Sequence, residues 1–113
     1  MHIENELDLI LTELNMKPTH RDFAWLKEVI LLAISEPSAW QKSYLEMIGK
    51  REGISRERVR QILHKMVWDH WPPQSKQILC MHFGTSIQMQ FEYAKPNHIE
   101  FITLLSEELR KSI

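Results

Sequence analysis

Residues 48–62 read IGKREGISRERVRQI, and this stretch decides the fold. Where two helices cross closely, the crossing point needs a residue with almost no side chain, and Gly49 supplies it. The short turn between the helices needs a residue with positive φ, which Gly53 adopts without a Cβ clash. Ser55 is placed to accept hydrogen bonds from the free backbone N–H groups of the next turn, so a helix begins immediately after it. These features together predict a helix-turn-helix over about residues 42–70.

The second helix of this motif, predicted over residues 56–70, has one apolar and one polar side. Its apolar residues recur at helical spacing and face the core: Val59, Ile62, Leu63, Met66 and Val67. The opposite side is mostly basic and rich in hydrogen-bonding groups, which suits the major groove of DNA. We predict that the arginines of this side contact guanine and that its glutamine contacts adenine. The predicted base-contacting residues are Arg58, Arg60, Gln61 and Glu57.

Other polar residues of the motif are predicted to contact DNA phosphates. They are Lys42, Lys50, Arg51, Ser55, Arg56, His64 and Lys65. The charge distribution agrees with this assignment, although the net charge of the whole chain is −1. Residues 42–65 carry seven basic and three acidic side chains, whereas residues 1–41 carry three basic and seven acidic ones. The positive charge is thus concentrated where phosphate contact would need it.

The apolar spacing elsewhere predicts an all-α fold of about six helices in a single domain over residues 1–113. Residues 20–34 are apolar on nearly every side, which predicts a central, buried helix. Thr19 is a candidate N-cap for that helix, and Asn97 with Glu100 forms a capping box for the last one. The predicted helices cover about residues 4–16, 20–34, 39–52, 56–70, 74–83 and 98–111.

Two regions near the C-terminus leave alternatives open. Residues 85–93 alternate apolar and polar side chains, and without a partner strand we expect an extended or helical-turn loop there. The last helix has a broad apolar face, which is typical either of core or of a dimer or partner surface. The residues assigned to that surface are Ile99, Ile102, Leu105 and Leu109.

The chain resembles the C-terminal DNA-binding effector domain of the stage zero sporulation protein A family of response regulators. The resemblance is carried by residues 22–30 and 42–71, Phe83-Gly84, Lys95-Pro96-Asn97, Glu100-Phe101-Ile102 and Leu109-Arg110. It implies an all-helical domain, unrelated to winged helices, that regulates sporulation genes. Such a domain binds a short promoter box, usually as tandem or paired copies, and contacts the RNA polymerase sigma subunit. A homodimer on DNA in the bacterial nucleoid is implied as well.

Some residues of the second motif helix match the family's residues, and others differ from them. Arg58 matches a groove-facing arginine of the family. The family has Glu then Arg where this chain has Arg60 and Gln61, and Glu57 replaces a small polar residue, so the resemblance does not carry over the target sequence. The phosphoacceptor receiver domain is absent, so either an effector fragment or a stand-alone relative is expected. The motif alone also looks like the promoter-reading domain of primary sigma factors.

The remaining residues favour no catalytic or metal chemistry. The histidines and the lone Cys80 lack the paired spacing of a structural zinc site, and no nucleophile elbow, phosphate-binding glycine loop or carboxylate pair is present. We expect no enzyme activity, no metal and no cofactor. A single cysteine and the absence of a signal peptide or long apolar run favour a cytoplasmic protein. The alternative function is a protein-interaction module on the same scaffold that binds a regulator or an RNA polymerase subunit rather than DNA. Glu57 and the acidic residues 1–41 support it.

Overall fold

The computed structural model describes residues 3–17, 19–84 and 95–111. These residues form six α-helices and contain no strand, which confirms the predicted all-α fold. The helices are α1 (Ile3–Glu13), α2 (Arg21–Ser35), α3 (Trp40–Glu52), α4 (Arg56–His70), α5 (Ser75–Phe83) and α6 (His98–Arg110). The predicted loop over residues 85–93 lies outside the described residues. No helix in the described ranges combines the length and apolar character needed to cross a membrane.

Helix α2 is the centre of the core, as its apolar sequence predicts. It contacts α1, α3, α4 and α6. Its buried side chains point to these neighbours and include Trp25, Leu26, Val29, Ile30 and Ala33. Since full burial of one large aliphatic side chain stabilises a fold by about 1.5–3 kcal/mol, α2 holds the surrounding helices in place.

The helix ends confirm one predicted cap and correct another. Asn97 Oδ1 accepts from the Glu100 backbone N–H at 2.8 Å, and Glu100 Oε1 accepts from the Asn97 N–H at 3.0 Å, so the capping box is present. The predicted Thr19 cap is wrong. Helix α2 has His20 as its N-cap, with no side-chain cap hydrogen bond, because the helix begins one residue later than a Thr19 cap requires.

The apolar face of α6 belongs to the core rather than to a partner surface. Ile102, Leu105 and Leu109 are fully buried, and Ile99 is half-buried. The physical reason is that α6 packs against both α2 and α4, which together cover this face. Arg110 fixes the far end of α6 by donating to the carbonyl oxygens of Ala33 at 2.8 Å and Ile34 at 3.4 Å. The assignment of a dimer or partner surface to these α6 residues is therefore wrong.

Candidate nucleic-acid interface

The turn between α3 and α4 has the close approach that the two glycines predict. Gly53 has φ 71° and ψ 32°, a left-handed conformation that glycine adopts without strain. A Cβ built on Gly49 would lie only 2.8 Å from the carbonyl oxygen of Ile54. The backbone N–H of Ile54 donates to the carbonyl oxygen of Gly49 at 3.0 Å. The first helix of the motif can therefore meet the turn only where a side chain is missing.

Helix α4 begins as predicted and presents two different sides. Ser55 Oγ accepts from the Arg58 backbone N–H at 3.1 Å, which satisfies one of the free N–H groups of the first turn. One side of α4 is buried, through Val59, Leu63, Met66 and Val67. The other, called here the exposed face of α4, consists of Glu57, Arg58, Arg60, Gln61, Lys65 and Trp68. All four predicted base-contacting residues are thus accessible to solvent.

Part of the exposed face borders an open groove of about 440 Å³. Arg58, Gln61 and Lys65 line it from α4, and Asp22 contributes from the start of α2. Asp69 and His70, from the last turn of α4, complete its polar lining. Carboxylates at the edge of this groove reduce the positive potential of the surface that the sequence assigns to DNA.

Several of the predicted DNA-contacting cations are paired with carboxylates of the protein itself. The guanidinium of Arg60 binds the carboxylate of Glu57, one helical turn earlier. Lys65 lies 2.8 Å from Asp69, and Lys50 lies 3.0 Å from Glu46. These hydrogen bonds hold the pKa values of all three carboxyl groups below their ordinary range. The acids therefore stay ionised at neutral pH and offset the charge of their partners.

Arg51 is the most extensively paired of the predicted phosphate contacts. It donates to Glu28 on α2 at 2.7 Å and to the adjacent Glu52 at 3.0 Å. These two hydrogen bonds raise the pKa of its guanidinium above the ordinary value. The arrangement ties α3 to α2, so the structure gives Arg51 a structural contact that the sequence did not indicate.

Three of the predicted contacts carry no such pair. Lys42, Arg56 and Arg58 are exposed, and none has a carboxylate within 4.0 Å in the part of the chain that the structure describes. A cation without an internal partner gives up no ion pair within the protein when a phosphate or a base binds it. These residues are accordingly the positions from which nucleic-acid contact costs least.

His64 lies in an aromatic cluster instead of projecting freely. Its ring is 5.6 Å from that of Trp68 and 6.3 Å from that of His98, measured between centroids. Lys95, just before α6, places its Nζ 5.5 Å from the centroid of the Trp68 ring. Sequence reasoning missed Lys95 as a site residue. No local signal marks it, because its approach to α4 depends on how α6 packs.

A buried polar pair joins the motif to α6. The hydroxyl of Tyr44 on α3 lies 2.7 Å from Nε2 of His98, and both residues are almost completely buried. Nδ1 of His98 is also buried and has no hydrogen-bond partner among the described residues. Burial, followed by the nearby charges of His64 and Arg60, lowers the pKa of His98 to about 4. Its position at the first residue of α6 further disfavours a positive charge.

This depressed pKa predicts a loss of stability on acidification. As pH falls below about 6.5, the ordinary histidine value, unfolded His98 takes up a proton, whereas folded His98 stays neutral until about 4. The contribution of His98 to the free energy of unfolding is therefore complete above about pH 6.5 and declines between about 6.5 and 4. NMR titration of the imidazole resonances measures the pKa directly. A His98 pKa at or above 6.5 would contradict this assignment.

Comparisons with known proteins add no identification. No family model, curated protein or solved structure matches the chain. The described residues also contain no group of three or more histidine, cysteine, aspartate and glutamate side chains placed to hold a metal ion. The resemblance to sporulation-regulator effector domains therefore stays a prediction, and function has to be inferred from the exposed face of α4.

Proposed function

We propose that this protein binds double-stranded DNA by inserting α4 into the major groove, and that it acts as a sequence-specific transcriptional regulator and not as an enzyme. The observation that carries the proposal is the exposure of Arg58 and Gln61 on a helix fixed by the turn from Gly49 to Gly53. A B-DNA major groove is about 12 Å wide and accepts one α-helix.

The proposed roles follow from side-chain chemistry and accessibility. Arg58 and Arg60 each donate two parallel hydrogen bonds to a guanine. Gln61 makes hydrogen bonds to an adenine, and Glu57 accepts one from a cytosine. Lys42 and Arg56 contact phosphates directly, as do Ser55 and His64 in supporting positions. Lys50, Arg51 and Lys65 can do so only by leaving the carboxylates that now bind them. Exposed ion pairs are weak because water and salt screen them, so exchange of a carboxylate for a phosphate is feasible.

The sporulation resemblance supplies the finer parts of the proposal. It supports an effector domain of the sporulation-regulator type that binds paired promoter boxes as a homodimer on DNA. It also supports contact with the RNA polymerase sigma subunit and a place in the bacterial nucleoid. Because the apolar residues of α6 are buried, a dimer of this kind has to use another surface.

The proposal is tested by titrating the protein into a labelled duplex of random sequence and following fluorescence anisotropy at several salt concentrations. If several cations engage phosphates, the logarithm of the affinity falls linearly with the logarithm of salt concentration, with a slope of about −0.9 per contact. A flat response to salt, or no binding at low salt, would overturn the proposal. Selection from a random duplex pool then identifies the preferred sequence.

The second candidate function is recognition of a protein partner by the same scaffold. The observation that favours it is the internal neutralisation of Lys50, Arg51, Arg60 and Lys65 by carboxylates. A surface with alternating charges suits a protein partner better than a polyanion. Absence of duplex binding, together with binding to an isolated sigma subunit in a pull-down with purified proteins, would select this function.

Replacing Glu57 with glutamine is predicted to raise the affinity for random duplex several-fold. The change removes a negative charge from the exposed face of α4 and frees the guanidinium of Arg60. Glu108→Gln is the matched control, because Glu108 and Lys111 form an ion pair of the same spacing at the far end of α6. The measurement is duplex anisotropy at low salt. An unchanged or weaker affinity for Glu57→Gln would show that the carboxylate does not oppose DNA binding.

A further inference from the structure

The second half of α4 carries a polar and aromatic cluster that the proposed base contacts do not use. Trp68 is 43% exposed, which is unusual for the largest apolar side chain in a small domain. The neighbouring rings and charges hold it in place, with the His64 ring at 5.6 Å and Lys95 Nζ at 5.5 Å from its own centroid. A cation near the face of an indole ring is attracted by the quadrupole of that ring.

The position of Trp68 along α4 places it outside the bases that the helix would read. Gln61, Lys65 and Trp68 are spaced four and three residues apart, so they lie on one side of the helix. At a rise of 1.5 Å per residue, Trp68 lies roughly 10 Å beyond Gln61 along the helix axis. That distance is close to the width of the major groove, about 12 Å. A helix that places its first half against base edges therefore brings Trp68 to the phosphates at the groove margin.

Within the described residues, neither polar group of the pair has a hydrogen-bond acceptor or a carboxylate as its partner. The indole N–H of Trp68 donates no hydrogen bond to any described residue. Lys95 has no carboxylate within 4.0 Å in the described ranges. One neutral donor and one ammonium group thus lie side by side on an exposed surface. Phosphate oxygens accept from both kinds of donor, and a cation adds electrostatic attraction.

We infer that Trp68 and Lys95 together clamp one phosphate of the duplex backbone and thereby fix the register of α4 in the groove. The inference rests on the proposed function, since the clamped phosphate belongs to DNA held by the exposed face of α4. It adds a contact from the segment before α6, which lies outside the helix-turn-helix. A phosphate contact of this type positions the protein without selecting a sequence.

The test compares two variants with a distant control. Lys95→Gln removes the charge. Trp68→Phe keeps an aromatic ring beside Lys95 but removes the N–H donor. Lys111→Gln is the matched control, because it changes a lysine at the opposite end of the 13-residue α6, about 20 Å away. Each protein is titrated into labelled duplexes of preferred and random sequence over a range of salt concentrations.

The expected results differ between the two variants. Lys95→Gln weakens binding to both duplexes by the same factor and makes the salt slope shallower by about 1, as loss of one phosphate contact requires. Trp68→Phe weakens binding several-fold but leaves the salt slope unchanged, because no charge is lost. Lys111→Gln binds as the parent protein does. Duplex binding changes the tryptophan emission of the parent, and Trp68→Phe lacks most of that change.

The outcomes separate failure of the clamp from failure of the proposed function. If Lys95→Gln keeps the parental affinity and salt slope while Arg58→Ala binds weakly, the clamp is wrong and DNA binding stands. Loss confined to the preferred duplex also overturns the clamp, because it indicates base contact. If the parent binds no duplex at low salt, the function and the clamp both fail. Lys95 is exposed, so its replacement keeps the test decisive even if Trp68→Phe unfolds the protein.

Discussion

Replacement of Arg58 by alanine is expected to weaken binding to the preferred duplex about 5- to 150-fold, which corresponds to about 1–3 kcal/mol. Arg58 is the residue of the exposed face of α4 that combines a guanidinium group with freedom from internal ion pairs within the described residues. It can therefore direct both of its hydrogen bonds to a guanine without giving up a carboxylate. Anisotropy titration against the selected duplex and against single-base variants of it measures the loss.

Two further variants show whether the loss reflects base recognition. Arg58→Lys keeps the charge but cannot form the planar pair of hydrogen bonds, so it should retain random-duplex affinity and lose discrimination at one base pair. Lys42→Gln should weaken binding to all sequences by the same factor. Arg58→Ala should unfold at the parental temperature, because the side chain is exposed. Equal losses on the selected and the random duplex would exclude Arg58 as a base reader.

Replacement of Gly49 by valine is expected to destabilise the fold by about 1–3 kcal/mol and to weaken duplex binding as well. The new Cβ would lie 2.8 Å from a backbone carbonyl oxygen, that of Ile54, which cannot rotate away as a side chain can. The turn and the start of α4 have to shift to relieve this contact, and the exposed face of α4 shifts with them. Urea unfolding and anisotropy titration measure the two effects.

Two controls test this steric explanation. Gly49→Ala should cost less than Gly49→Val, because alanine gains about 1 kcal/mol of helix propensity over glycine and adds only one methyl group. Gln41→Val introduces the same side chain on the same helix at an exposed position, where changes usually stay within about 0.5 kcal/mol. If Gly49→Val is as stable as Gln41→Val, the close approach at Gly49 does not limit the packing of the turn.

The balance of charge on the exposed face of α4 affects both candidate functions. On a DNA-binding surface Arg60 would exchange the Glu57 carboxylate for a guanine, and Lys65 would exchange the neighbouring Asp69 carboxylate for a phosphate. Added salt would weaken the phosphate contact. A protein-binding surface would retain the carboxylates and depend less on salt. The affinity of Glu57→Gln for random duplex therefore separates the two functions at the residue level, since only a DNA-binding surface gains from the change.

Most of the motif was predictable because its causes are local. Gly53 adopts positive φ, Ser55 caps α4, and Asn97 forms its capping box through contacts within three or four residues of the chain. The central position of α2 also followed from its composition. The predicted Thr19 cap failed by one residue, because α2 begins at Arg21 and its N-cap residue, His20, makes no side-chain cap hydrogen bond.

What the sequence by itself determined is therefore the set of six helices in the described residues, the turn that joins α3 to α4, and the polar side of α4. The tertiary structure alone decided that the apolar residues of α6 are core, that Arg51 binds Glu28, and that Lys95 lies beside Trp68. The physical reason is how far apart in the sequence the contacting residues lie. Helix ends and turns depend on neighbours in the chain, whereas these contacts join segments at least 23 residues apart and form only when the helices pack.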